Sequence, residues 1–233
     1  VPRLTSLEGS AEFAEVAMAQ TQCAGYNGTD WRRNVLWRKG QYFAVLDELQ
    51  ALEDGDYNLQ CVWRTVGEVE LRPDRMLVAQ GGERFCLINA NYALLKLAEV
   101  TPEAADREAL IQTCPATLKA GQSTGVLNLF YSPDTEGYPY DAAGVGDLAL
   151  VVAGPDGHTL VAVGPFERGH VRSAARLASL SRTEVVALDA TELDWGGPLL
   201  RADKPVSLQL GRRTGEGELV VREACRVGLV TAP

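Results

Sequence analysis

The chain has 233 residues, 46% of them hydrophobic and 23% charged, with 22 Lys and Arg set against 31 Asp and Glu. That balance supports a buried core and excludes disordered, collagen-like and coiled-coil chains, and no apolar run approaches the roughly 20 residues of a membrane-spanning helix. The formal net charge of −9 argues against a nucleic-acid partner and against loose capture of polyanions, leaving local arginine clusters, which act within about 8 Å, as the route to an acidic ligand.

Most of the sequence reads as strands. Glu12 to Ala19 is either a short turn or the start of a strand. Val35 to Lys39 and Tyr42 to Leu49 form a β-ribbon across Gly40. Tyr57, Leu59, Cys61, Trp63 and Thr65 alternate with Asn58, Gln60, Val62 and Arg64, the period-2 pattern of a half-buried antiparallel strand. Glu68 to Arg72 and Arg75 to Ala79 flank a Pro73-Asp74 turn, and Gly81-Gly82 opens a strand over Arg84 to Ile88.

Thr101-Pro102-Glu103 offers an N-cap, a proline at the first helical position and an early carboxylate, so a helix over Ala104 to Leu110 competes with a strand there. Val126 to Tyr131 is a buried apolar run. Ser132 to Gly146 is a long Gly/Pro/Tyr-rich loop, and Leu148 to Ala153 pairs with Leu160 to Val163 across Gly154-Pro155-Asp156-Gly157. Val185 to Leu188, Val206 to Leu210, Glu218 to Val221 and Val227 to Val230 complete the series. Turn signals about every 8 to 12 residues imply an all-β protein, a large antiparallel sandwich of two curved sheets forming a single domain over 1–233.

The five cysteines (Cys23, Cys61, Cys86, Cys114, Cys225) are scattered and odd in number, so at least one is unpaired within the chain; they read as small buried side chains, with one unassigned disulfide left open. Motifs for a serine nucleophile elbow, a phosphate loop or a zinc protease are missing. Asp54 with Asp56, and Glu216 with Glu218, sit in turns as solvated charge, and His158 reads as a hairpin residue.

The densest segment runs from Asp30 through Trp31, Arg32, Arg33, Asn34, Val35, Leu36, Trp37, Arg38, Lys39, Gly40, Gln41, Tyr42, Phe43, Ala44, Val45 and Leu46 to Asp47, with Trp63 following at the end of an extended segment. Its pattern, W-x-R-x-V-L-x-x-x-G-x-Y-F-x-V-x-D, resembles the C-terminal β-sheet domain of heparinase II/III-like polysaccharide lyases. Leu118 to Gln122 before a strand, and Thr191 to Gly197 before Pro205 to Leu208, agree with it more loosely.

The resemblance implies a supersandwich-like fold and a secreted or periplasmic setting. It also implies that this chain, which begins at Val1 without a visible targeting signal, is a C-terminal fragment of a longer protein. In that family the proton-abstracting machinery lies mainly in an α/α toroid, and about 233 mostly β residues leave no room for one. The β-domain of the family can add a histidine, or a zinc site of histidines and an aspartate. Asp47 matches the aspartate, but Thr29 or Asp30 and Arg64 stand where histidines are expected, and His158 and His170 lie far off. No metal and no cofactor is therefore expected.

Uronate β-elimination needs a group that neutralises the carboxylate, a base and an acid. Arg32, Arg33, Arg38 and Arg64 offer the first, and Tyr26, Tyr42 and Tyr57 are the proton-transfer candidates, but nothing in the sequence identifies a catalytic residue. The site expected is a carbohydrate-contacting surface of Trp31, Arg33, Asp47, Trp63 and Arg64, where rings cover C–H faces and polar groups meet hydroxyls. Tyr138 and Tyr140 form a weaker second surface. The plainer alternatives are that Asp47 caps a turn or pairs with Arg33, and that the tryptophans are packing residues. The expected function is an accessory domain that contacts acidic polysaccharide beside a toroid; an independent carbohydrate-binding module and a ligand-free structural or partner-binding sandwich are the alternatives.

Overall fold

The structure, a computed structural model, describes residues 5–91, 96–97, 101–104, 107–133, 137 and 139–230, and among these there is no helix. The first half begins with β1 (Ser6–Glu12), β2 (Val16–Tyr26), β3 (Thr29–Arg38), β4 (Tyr42–Ala51), β5 (Gly55–Thr65), β6 (Glu68–Leu71), β7 (Arg75–Gln80) and β8 (Glu83–Asn89). It continues with β9 (Lys96–Leu97), β10 (Thr101–Ala104), β11 (Arg107–Leu118) and β12 (Ser123–Tyr131). The second half holds β13 (Asp141–Gly144), β14 (Ala149–Gly154), β15 (Gly157–Arg168), β16 (Val171–Ser181), β17 (Glu184–Trp195), β18 (Pro198–Gly211), β19 (Gly217–Val221) and β20 (Val227–Leu229).

These strands make three antiparallel sheets. A central eight-stranded sheet has the order β1-β2-β3-β4-β12-β8-β7-β6. A small sheet has the order β10-β11-β5, with β9 also on β11, and a second eight-stranded sheet runs from β13 to β19 with β20 on β18. The all-β antiparallel sandwich read from the sequence is present, with the small sheet as a layer beyond the two expected.

Alternation along the strands explains the layering. On β3 and β4, Leu36, Ala44 and Leu46 join Leu150, Val152, Val161, Leu177 and Leu188 in the core between the two large sheets. The opposite face of the central sheet supplies Val45, Leu87 and Phe130, which pack with Leu110 of β11, while Val126 packs with Leu59, Cys61 and Cys114. Strand β12, covered on both faces, is buried from Gly125 to Tyr131. A continuous apolar run is what such a strand requires.

Most of the expected strands are present with slightly different ends. The helix expected over Ala104 to Leu110 is not: Thr101–Ala104 and Arg107–Leu118 are strands paired with each other, and 105–106 lie outside the described residues. The reason is non-local. Strand β11 zips against β5 in unbroken register from Glu108↔Thr65 to Leu118↔Gly55, and this ladder overrides the local capping signals. Of the expected loop over Ser132 to Gly146, Asp141–Gly144 forms the edge strand β13, whereas 134–136 and Tyr138 lie outside the described residues.

The β2–β3 hairpin turns through Asn27 (φ 48°) and Gly28 (φ 79°), the left-handed pair that a two-residue turn of matching twist demands. Two polar pairs join the layers. Gln112 and Asn128, both fully buried, exchange hydrogen bonds of 2.7 and 3.0 Å between β11 and β12 and so pin the small sheet to the central one. At the opposite interface Arg38 pairs with Glu184. Close backbone contact is tightest at Gly125, where an added Cβ would lie 2.4 Å from the Asp147 carbonyl oxygen and 3.1 Å from that of Asp47. Gly125→Ala should therefore cost about 1–3 kcal/mol, read as a lower urea midpoint at unchanged slope; an unchanged midpoint would contradict the layering described.

Candidate functional site

Between the central sheet and the free edge of β5 lies a groove of about 790 Å³, lined by Tyr26, Trp31, Arg33, Asp47, Tyr57 and Arg64 among others. Its floor is set by register. Arg33 of β3 sits opposite Asp47 of β4, so the two side chains emerge on the same face. Asp47 is 2% exposed, and its carboxylate accepts two parallel bonds from Arg33, Nε to Oδ1 at 2.8 Å and Nη2 to Oδ2 at 2.8 Å. Trp31 Nε1 donates to the same Oδ1 at 2.9 Å, and the Cys61 thiol lies 3.6 Å from Oδ2. A buried carboxylate requires this saturation, and the bidentate fork is the geometry in which arginine provides it best.

The guanidinium is also held between rings. Its Cζ lies 5.1 Å from the Trp31 ring centroid and 4.9 Å from that of Trp63, a double cation–π contact. Trp63 in turn donates from Nε1 to Gln112 Oε1 at 3.0 Å, so the pair that pins the sheets together also orients this indole. Burial works against the Arg33 charge, but the hydrogen bonds and charge of Asp47 outweigh it and hold the guanidinium above its ordinary value. Burial, reinforced by the Asp47 carboxylate, pushes the Cys61 thiol well above its ordinary value, so it stays protonated.

Trp31, Arg33, Asp47 and Trp63, all picked from the sequence, thus form one cluster, and Arg64 is exposed at the rim, where it borders both this groove and a neighbouring depression. That depression, about 670 Å³, has Trp63, Phe85 and Phe130 in its wall. Thr29 and Asp30, two of the positions where the resemblance leads one to expect histidine, serve the β2–β3 turn instead: Thr29 Oγ1 donates to the Tyr26 carbonyl at 2.8 Å, and Asp30 accepts from the Gly25 amide at 2.8 Å. His158 lies on β15 and His170 in the turn before β16, both in the other large sheet.

Sequence reasoning missed the parts played by Cys61, Gln112 and Asn128. The alternation of β5 already placed Cys61 on one face with Trp63, and that was the available signal. The Gln112–Asn128 pair joins strands from different sheets and leaves no local mark.

A zinc ion of the His/Asp kind does not fit this donor set. Arg33 occupies both oxygens of Asp47, the nearest sulfur is a protonated thiol, and among the described residues no three His, Cys, Asp or Glu side chains converge. Nor, among the described residues, is any helix long and apolar enough to cross a membrane.

No family model and no curated protein matches the sequence. Among solved structures, the fold is similar to the heparan sulfate lyase HepC from Pedobacter heparinus, with a TM-score of 0.54 at 17% identity over 71% of this chain and 28% of that one. A mutant of the same enzyme gives 0.55 at 18% identity with the same coverage. The resemblance carried by residues 31–64 therefore holds at the level of fold, and this chain spans a little over a quarter of the length of the lyases it matches.

Three expectations follow. Asp47→Asn should cost about 3 kcal/mol, the low end for breaking a buried pair because Arg33 keeps 32% of its side-chain surface, with a shift in tryptophan emission as Trp31 loses its acceptor. A variant as stable as the parent would contradict the pairing. All five thiols are free and only Cys225 is not buried, so a thiol reagent should label one site quickly in the folded protein and the others on unfolding. With its folded value raised, the Cys61 thiol contributes stability that is complete below the ordinary value of 9.0 and is lost as pH rises above it; Cys61→Ala should flatten that alkaline decline by up to about 1.4 kcal/mol per pH unit.

Proposed function

We propose that the chain is an accessory β-sandwich domain of a heparinase II/III-like polysaccharide lyase, a C-terminal piece of a longer protein that contacts acidic polysaccharide and is non-catalytic alone. The observation that carries this reading is the groove itself, in which Arg64 stands exposed at the rim beside the tryptophan-flanked Arg33. Arg33, forked onto Asp47, acts as a pillar that fixes the indoles, and Arg64 is placed by its exposure at the rim to meet a uronate or sulfate. Trp31, Tyr26 and Tyr57 offer ring faces and edges to sugar C–H surfaces.

Among the described residues, the lack of a histidine in the groove supports a non-catalytic role. Both histidines lie outside the groove, and the Tyr57 hydroxyl donates to the Glu53 carbonyl at 2.7 Å. Docking to a catalytic partner is supported by the same face of the central sheet. There Trp37 and Phe43, opposite each other on β3 and β4, stack at 5.4 Å with each residue 39% exposed. Such an aromatic pair beyond the cover of the small sheet suits a protein contact.

Titrating the chain with heparan sulfate, chondroitin, alginate and neutral glucans should give saturable quenching of tryptophan fluorescence by acidic glycans only, with no unsaturated uronate absorbance. Arg64→Ala should weaken binding roughly tenfold, the loss of about one charge-assisted contact. Uronate absorbance would overturn the non-catalytic reading. Equal binding of neutral glucans would favour a general carbohydrate-binding module, and no binding by any glycan would favour a purely structural sandwich.

A further inference from the structure

The far face of the second large sheet carries a feature that the groove does not use. On β16 and β17, Leu177 and Leu188 face the central sheet, while the alternate residues Ala178 and Ala187 belong to a separate core with Leu199, Leu208 and Leu210. At one end of this outer core two hairpin turns meet, the β16–β17 turn at Arg182 and Thr183 and the β18–β19 turn at Arg212 to Gly215. The Arg212 amide donates to the Thr183 carbonyl at 2.8 Å and ties the turns together. They enclose a hollow of about 320 Å³ with Leu199, Leu210 and Val230 as its apolar wall and Arg182, Arg212 and Arg213 around it.

The charge arrangement there is unusual for this chain. Acidic residues outnumber basic ones by 31 to 22, and most arginines of the two large sheets are ion-paired, among them Arg32, Arg33, Arg38, Arg75, Arg176 and Arg201. Among the described residues Arg182, Arg212 and Arg213 have no carboxylate within ion-pair distance. The carboxylate nearest in sequence to Arg182, that of Glu184, is taken by Arg38 and Gln209. Arg212 instead lies over the Trp195 ring, its Cζ 4.2 Å from the centroid. Holding three like charges around one concave surface costs repulsion, and an anion placed among them relieves it.

We propose that this hollow is an anion-binding subsite for a sulfated or carboxylated sugar residue. The apolar wall takes the C–H face of the ring, and Arg182, Arg212 and Arg213 meet its acidic substituent with the fork geometry that suits oxyanions. It is separate from the groove described above, since two sheet layers, on the order of 20 Å, lie between them, and it does not depend on the groove binding anything.

Trp195 makes the proposal measurable. The chain has four tryptophans, so indole ¹⁵N labelling gives four N–H signals to follow while a heparin-derived hexasaccharide, cellohexaose or inorganic sulfate is added. The Trp195 signal should move with the heparin hexasaccharide and stay still with cellohexaose. In Arg182→Ser/Arg213→Ser, which leaves Arg212 on the ring, the apparent affinity reported by Trp195 should fall at least tenfold. These turn arginines are outside the cores, and an unchanged spectrum of the free variant confirms folding. A Trp195 signal unmoved by the hexasaccharide, or moved equally in the double variant, would overturn the proposal. So would movement by sulfate alone at matching concentrations, which would mark a small-anion site. Movement of Trp195 with Trp31 and Trp63 still would uphold this subsite while sinking the groove reading.

Discussion

The buried carboxylate of Asp47 is the constraint on which the candidate site rests. A charge 2% exposed inside a sheet-on-sheet layer needs its lone pairs answered, and here a bidentate arginine, an indole N–H and the Cys61 thiol answer them. The rest follows from that requirement. Arg33 is drawn onto Asp47, the Trp31 and Trp63 rings lie within about 5 Å of its guanidinium, and Trp63 is held by Gln112. The outcome is an aromatic wall with the exposed Arg64 at its rim.

That saturation leaves neither oxygen of Asp47 open to a further ligand. With a guanidinium seated on both oxygens, the carboxylate is already neutralised by a permanent cation. The fold is shared with part of a heparan sulfate lyase at low identity.

Much of the architecture was legible because it is local. The ribbon of β3 and β4, the alternation of β5 and the β14–β15 hairpin all announce themselves through period-2 patterns and turn residues. What stayed hidden depends on partners far away in sequence. Strand β16, from Val171 to Ser181, is rich in Ala, Arg and Ser and is recruited by its neighbours β15 and β17. Strand β11 follows helix-start signals that fall on β10, and becomes a strand because β5 lines up beside it. The site divides the same way. Trp31, Arg33 and Asp47 could be grouped from the ribbon, since facing positions on adjacent strands share a side. The Gln112–Asn128 pair and the joined turns of Arg182 and Arg212 arise only when separate hairpins meet.

The most direct test of the account is a structure of the chain with an acidic oligosaccharide bound. The account predicts a uronate or sulfate within hydrogen-bonding distance of Arg64 and a sugar ring against Trp31, Tyr26 or Tyr57, with the Arg33–Asp47 fork unbroken. A ligand that opens that fork to take Arg33 for itself, or one that leaves the groove empty at saturation, would contradict it.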